Sequence, residues 1–233
     1  MAAATNLVLV PGLLCTKALW APQMAALADI ATITVADHMR HDTMAGIAKS
    51  ILAVAPERFA LAGLSMGGYI AFAMMRLAPD RIAKLALLDT SARPDQPEQK
   101  TGREKFIAMA QAGKLQDVVD TLTPRFIHKN RHNDEPLKKI VRAMAADTGA
   151  EAFVRQTKAI MSRQDARPLL AEIKCPTLVL VGDGDELTPP DLAKEVAGGI
   201  SGAKLVVVPD CGHLSTLEKP EAVNATLAGW LNS

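Results

Sequence analysis

The chain reads as an α/β protein: a mainly parallel sheet of about six strands, with a block of helices inserted as a cap. Three observations carry this reading. Short aliphatic runs recur along the 233 residues. Helical patterns alternate with most of them, and such alternation implies crossovers that lay the strands parallel and cover both faces of the sheet. The alternation breaks once, between residues 93 and 174, where helical patterns follow one another with no convincing strand. A chain of this length is enough for one sizeable core.

The elements follow in order. Residues 7–10, 32–35, 59–62, 84–88 and 177–181 read as buried strands, too rich in aliphatics for one solvated face, and residues 204–208 add a sixth. The break opens at Pro94-Asp95-Gln96-Pro97, a turn signal. Within it, Leu137, Ile140, Val141, Met144 and Ala145 form one apolar helix face, with Asp134 placed to cap it and Pro136 in the first turn. A second helical pattern runs through Phe153, Ile160 and Met161. Residues 1–93 and 171–233 are thus the expected core, and 94–170 the expected cap or lid. Met109, Met144 and Met161 are suited either to lining an adaptable pocket or to packing on one another, and packing is the simpler reading.

Composition excludes several classes. With 49% hydrophobic and 22% charged residues the chain is globular rather than disordered. The net charge is +1 and no basic block interleaves with aromatics, so no nucleic-acid partner is expected. No apolar run approaches the length of a bilayer span, so no membrane partner is expected either. Residues 1–6 carry no basic region before the first apolar run; the segment does not read as a signal peptide, and a cytoplasmic location is expected. Cys15, Cys175 and Cys211 are odd in number and lack metal-ligand spacing, which agrees with a reducing compartment and with small buried hydrophobes.

The most informative stretch is Gly63-Leu64-Ser65-Met66-Gly67-Gly68. An apolar run leads in and a helical pattern leads out, so the serine stands at the tip of a strand–turn–helix. The glycines two before and two after it let strand and helix approach without Cβ clashes, and the helix N-terminus behind favours negative charge. A serine hydroxyl is a poor nucleophile unless a base lies within hydrogen-bond reach and a third group orients that base. Of five histidines, His38, His41, His128 and His132 read as solvated surface. His213 follows the last strand on a short loop, which delivers it to the same sheet edge as Ser65. The acid should also come from a strand end. Gly182-Asp183-Gly184-Asp185-Glu186 offers Asp185 first and Asp183 as the fallback; Asp89, after another strand, is a third candidate. Backbone N–H donors for a developing oxyanion are expected at Met66, just after the nucleophile, and at Leu13 in the loop Pro11-Gly12-Leu13-Leu14-Cys15. Nothing calls for a metal or nucleotide cofactor: no His/Cys/acid set clusters, and residues 63–68 lack the lysine of a phosphate-binding loop.

With its motifs in this order the chain resembles the α/β-hydrolase superfamily, in the compact, helically capped branch of small bacterial serine hydrolases of carboxylesterase type. The resemblance covers nearly the whole length. It rests on residues 63–68, on 176–185, and on Gly212-His213-Leu214 followed by Glu218-Lys219-Pro220-Glu221. It implies an α/β-hydrolase fold and an acid three residues after the strand-ending glycine, which is Asp185. It also implies cleavage of a small-molecule carboxylic ester through an acyl-enzyme intermediate on Ser65, His213 and Asp185, without a cofactor. Two departures stand out. Pro11-Gly12 replaces the family's common His-Gly at the oxyanion loop, and the first strand begins too early for the N-terminal hairpin many members carry. The same triad in this superfamily also serves lactonases, carbon–carbon hydrolases, lyases and perhydrolases, and some members are non-catalytic small-molecule receptors. A convergent arginine in the cap would mark a substrate carboxylate, with Arg155 and Arg163 the residues to inspect. Acyl and alcohol preference and oligomeric state are not fixed by the sequence.

Overall fold

Alternating aliphatic side chains build a sheet with two cores. The computed structural model describes residues 5–233. In chain order its elements are β1 (Thr5–Val10), α1 (Ala21–Leu27), β2 (Ala31–Val35), α2 (Met44–Val54), β3 (Phe59–Leu64), α3 (Met66–Leu77) and β4 (Ile82–Leu88). Then come α4 (Pro97–Gln111), α5 (Leu115–Phe126), α6 (Glu135–Met161) and α7 (Arg167–Leu170), followed by β5 (Thr177–Gly182), α8 (Pro190–Gly199), β6 (Lys204–Val208), α9 (Ser215–Glu218) and α10 (Pro220–Asn232). The six strands pair in the order β2-β1-β3-β4-β5-β6. All five pairings are parallel.

Successive residues of a strand point to opposite faces. Leu7, Leu9, Ala60, Ala62, Leu178 and Leu180 therefore enter one core, with α1, α10, α5 and the first arm of α6. Val8, Val10, Leu61, Leu85, Val179 and Val181 enter the other, with α2, α3 and α8. Each of these valines and leucines fully removed from water contributes about 1.5–3 kcal/mol, so it is chiefly burial that holds the strand ends where they are. Two strands depart from the sequence reading. β2 and β6 close the two edges, and each exposes part of its length, with Val207 43% exposed. Aliphatic content does not distinguish an edge strand from a central one; position in the sheet decides.

The interval between β4 and β5 holds only helices among regular elements. Asp134 caps α6, its Oδ1 accepting from the Leu137 N–H at 3.0 Å. Leu137, Val141, Met144 and Ala145 are buried as the periodicity requires, whereas Ile140 is 39% exposed. Gly149, at φ 72° and ψ 165°, breaks α6 into the two arms that the sequence shows as separate patterns.

The C-terminal strand ends gather at one edge. Val10 is in register with Gly63, Leu64 with Leu88, Leu88 with Leu180, and Gly182 with Val208. The chain order reverses between β1 and β3, and at such a switch point the loops after neighbouring strands diverge and leave a crevice. Among the described residues no helix is long and apolar enough to cross a membrane.

Candidate active site

Ser65 sits at the apex between β3 and α3 with φ 56° and ψ −114°, a conformation disfavoured for any residue with a Cβ. The surroundings impose it. The Ser65 N–H donates to Leu88 O at 2.9 Å, and the Ser65 carbonyl accepts from Gly68 N–H at 2.9 Å and from Thr90 Oγ1 at 2.8 Å. A methyl group on Gly63 would run into the Gly67 backbone, and one on Gly67 into the Val10 carbonyl. The turn is therefore closed on both sides by positions that admit only glycine.

The His213 ring is 2% exposed and bridges two partners. Its Nε2 lies 2.7 Å from Ser65 Oγ and its Nδ1 2.7 Å from Asp185 Oδ2. The Asp185 carboxylate is saturated with donors: Leu187 N–H at 2.8 Å and Thr188 N–H at 2.9 Å reach Oδ1, while Thr188 Oγ1 donates to Oδ2 at 2.7 Å. With Nδ1–H donating to the carboxylate, the Nε2 lone pair faces the serine hydroxyl. Phe126 stacks on the imidazole with ring centroids 6.3 Å apart. The His213 loop is tied to the end of α5 by Leu214 N–H donating to Phe126 O at 3.1 Å. Buried Glu218 adds a clamp, accepting from Gly212 N–H at 3.1 Å and His128 N–H at 2.8 Å.

The three acids proposed from sequence are sorted by this geometry. Asp183 Oδ1 accepts from Cys211 N–H at 3.2 Å and shapes the loop. Asp89, fully buried at φ 45°, accepts from Gly182 N–H at 2.9 Å and meets Ser215 Oγ at 2.5 Å. Only Asp185 reaches the imidazole. Burial pushes the Asp185 carboxyl up, but the His213 charge and hydrogen bond and the Thr188 donors outweigh it and hold it below the ordinary aspartate range. For Asp89, burial and the Asp185 charge prevail and lift the carboxyl well above that range. Burial lowers the His213 imidazole, but Asp185, Asp89 and Glu218 together raise it above the ordinary histidine value.

The loop after β1 abuts the elbow: a Cβ on Gly12 would lie 3.4 Å from Ser65 Cβ. The loop is a tight turn with Cys15 N–H donating to Gly12 O at 3.2 Å and Leu14 at φ 59°. The Leu13 N–H makes no hydrogen bond to another described residue. The Met66 N–H, at the first position of α3, has no intrahelical acceptor. Gln156 and His38 brace the turn from behind: Leu14 N–H donates to Gln156 Oε1 at 3.2 Å, and His38 Nε2 lies 2.9 Å from Gly12 O and 3.0 Å from Gln156 Nε2.

This corrects the surface reading of His38 and His128, which are 1% and 6% exposed, since both are covered by parts of the chain remote in sequence. His41 and His132 are exposed as expected. Cys15 and Cys211 are buried and Cys175 half-buried. Burial pushes the Cys15 thiol up to about 12 and lifts Cys211 further, so neither thiol is primed as a nucleophile.

Ser65, His213 and Thr188 open onto a pocket of about 450 Å³ walled by Phe106, Leu122, Phe126, Phe153 and Ile160 from the inserted helices. None of Met109, Met144 or Met161 lines it. Arg163 does, but its charge is committed: Nη1 lies 2.7 Å from Asp95 Oδ1, and Arg103 holds the same carboxylate at 2.6 Å. Arg155 donates instead to Met39 O at 2.8 Å. Arg125 also lines the pocket and has no ion-pair partner among the described residues. The sequence reading missed Thr188, Gln156, Asp95 and Arg103. Thr188 had a local signal, a hydroxyl three residues after the acid; Gln156 reaches its partners from 118 and 142 residues away, and Asp95 and Arg103 pair eight residues apart across the start of α4.

Comparison with known proteins agrees with the fold. A thermophilic esterase from Thermogutta terrifontis is 30% identical and superposes with a TM-score of 0.89 over 98% of this chain and 90% of its own. The enol-lactonase from Burkholderia xenovorans LB400 is 28% identical, with a TM-score of 0.88 over 100% and 93%. The AB hydrolase superfamily protein YisY of Bacillus subtilis is 31% identical over 83% of this chain and 74% of its own. Residues 7–226 match the sequence profile of the alpha/beta hydrolase family. The strained serine turn, the parallel sheet and this match over most of the chain together make the protein a member of the alpha/beta hydrolase family.

Proposed function

We propose that the protein is a serine hydrolase of small carboxylic esters acting through an acyl-enzyme intermediate. The observation that carries this is the unbroken relay from Ser65 Oγ to His213 Nε2 and from His213 Nδ1 to Asp185, 2.7 Å at each step, opening on an apolar pocket. Ser65 Oγ attacks the ester carbonyl while His213 Nε2 takes its proton. Asp185 keeps the imidazole in the required tautomer and stabilises the imidazolium. The carbonyl oxygen becomes an oxyanion facing the Leu13 and Met66 N–H groups. His213 then gives its proton to the departing alkoxide, and water activated by the same nitrogen releases the acid and frees Ser65. In this reading residues 94–170 act as the lid, supplying the aromatic wall that keeps bulk water from the acyl group. The test is labelling of Ser65 by a fluorophosphonate together with turnover of p-nitrophenyl acetate. Ser65→Ala should abolish labelling and lower kcat by on the order of 10⁴-fold or more. A folded Ser65→Ala protein with near wild-type turnover would refute the assignment.

A lactone is a second reading, since a cyclic ester opens by the same steps. The likeness to the Burkholderia enol-lactonase supports it, as does Arg125 at the pocket, a cation open to a substrate carboxylate. If kcat/KM for carboxylated lactones exceeds that for uncharged esters and the excess disappears in Arg125→Gln, this reading replaces the first.

A further inference from the structure

A second cavity, of about 340 Å³, lies beside the catalytic pocket. Its walls come from α2, the face of α3 that runs from Tyr69 to Leu77, the loop after β4 and the segment after α6; Met44, Phe72, Ala73, Leu77, Ala92 and Ala166 give it apolar surface, with Arg76 and Arg93 also at its wall. Two residues line both spaces, Tyr69 and Arg163. The Arg163 guanidinium carbon stands over the Tyr69 ring, 4.3 Å from its centroid, so the two side chains pack together as a common wall.

The wall is fixed. The Arg163 side chain is 8% exposed and held from three sides: Asp95 at 2.7 Å, Arg93 O at 3.0 Å and Ile160 O at 3.2 Å. A guanidinium so engaged is a strut rather than a substrate cation. Tyr69 lies in the first turn of α3, four residues after Ser65, and its N–H reaches the Ser65 carbonyl at 3.4 Å.

Direction follows from the chemistry. The leaving alcohol must stand beside His213 to be protonated, and His213 borders the catalytic pocket alone. The acyl chain therefore extends away from His213, towards Tyr69. We infer that the Tyr69–Arg163 stack sets acyl length: it closes the catalytic pocket to a short acyl group, and the cavity behind it is an apolar extension for a longer acyl tail, shut in the wild type. This rests on the ester-hydrolase reading above.

The experiment measures kcat/KM for p-nitrophenyl esters from acetate to decanoate, and separately for acetates of alcohols of rising length. Wild type should favour short acyl groups. Tyr69→Ala should raise the decanoate-to-acetate ratio by roughly tenfold or more, within the range one or two apolar contacts supply, with no matching change in the alcohol series. Arg163→Met, which leaves Arg103 to pair Asp95, should shift the ratio the same way and serves if Tyr69→Ala does not fold. Tyr69→Phe keeps the ring over the guanidinium and should keep the wild-type ratio. Ala45→Trp, which fills the second cavity from its opposite wall, should erase the gain when combined with Tyr69→Ala. Short-ester turnover with an unchanged ratio in both opened variants overturns the partition alone. So does a gain confined to the alcohol series, or one insensitive to Ala45→Trp. A wild-type protein that hydrolyses no ester of any length overturns the ester reading and the partition with it.

Discussion

Asp185 and Asp89 stand at neighbouring strand ends, and their environments shift their carboxyls in opposite directions. Three donors and an imidazole hold Asp185 below the ordinary aspartate range, while burial and the facing Asp185 charge lift Asp89 above it. Asp185→Asn should lower kcat/KM by on the order of 10³-fold or more, because an amide can neither fix the tautomer nor stabilise the imidazolium. Asp89→Asn, at a carboxylate that meets Gly182 N–H and Ser215 Oγ rather than the imidazole, should cost far less, as should Asp183→Asn; kinetics on the three purified variants checks the order. The pH profile follows from His213. It must be neutral to accept the serine proton, so kcat/KM for an uncharged ester should rise with pH as one proton leaves. Because Asp185, Asp89 and Glu218 outweigh burial, the midpoint should lie above the ordinary histidine value of about 6.5. Activity falling as pH rises through 7, or a midpoint below that value, would contradict His213 as the base. Ser65 and His213 stood out in the sequence because each follows an aliphatic strand on a short glycine-marked loop, and Asp185 was singled out from Asp183 and Asp89 with the help of the family's spacing counted from Gly182. Whether burial or the carboxylates would prevail at His213 was not, because it depends on Asp89 and Glu218, which approach only in the folded protein.

At the level of the element, the elbow and the capped helix were readable because their signals are local. Gly63 and Gly67 are required by contacts within one strand–turn–helix and with the adjoining end of β1. The Asp134 cap satisfies an N–H three residues away. Asp134→Ala should destabilise the protein by about 1 kcal/mol, read as a lower urea midpoint with an unchanged slope. Part of that loss is the pairing of Asp134 with Arg131 at 2.6 Å, which Arg131→Gln would report separately. What local pattern could not give was which strands become edges and which polar residues become covered. β2 and β6 resemble central strands in composition, and His38 lies in a polar stretch, yet its neighbour Gln156 arrives from 118 residues away. Pro94-Asp95-Gln96-Pro97 marked the exit from the alternation, and the structure makes it an irregular segment leading into α4 at Pro97, where Asp95 anchors Arg103 and Arg163.

For the whole molecule, strand–helix alternation predicted a parallel sheet covered on both faces, whereas strand order had to come from long-range pairing. That order has a kinetic consequence. Ser65 and His213 are 148 residues apart, and β5 and β6, which deliver Asp185 and His213, are the last two strands in the chain. Closing so long a loop costs entropy before any contact across it is rewarded, and non-local pairings of this kind form late. During synthesis Ser65, its turn and four of the six strands emerge well before Asp185 and His213. On the proposed function, a nascent or truncated chain carries the serine without its reactivity, which docking of β5 and the segment after it would switch on. Refolding from urea should show this as a lag: far-UV circular dichroism recovers first, and fluorophosphonate reactivity follows with the slowest phase. Labelling that returns together with the earliest ellipticity change would mean that the two ends of the chain find each other first.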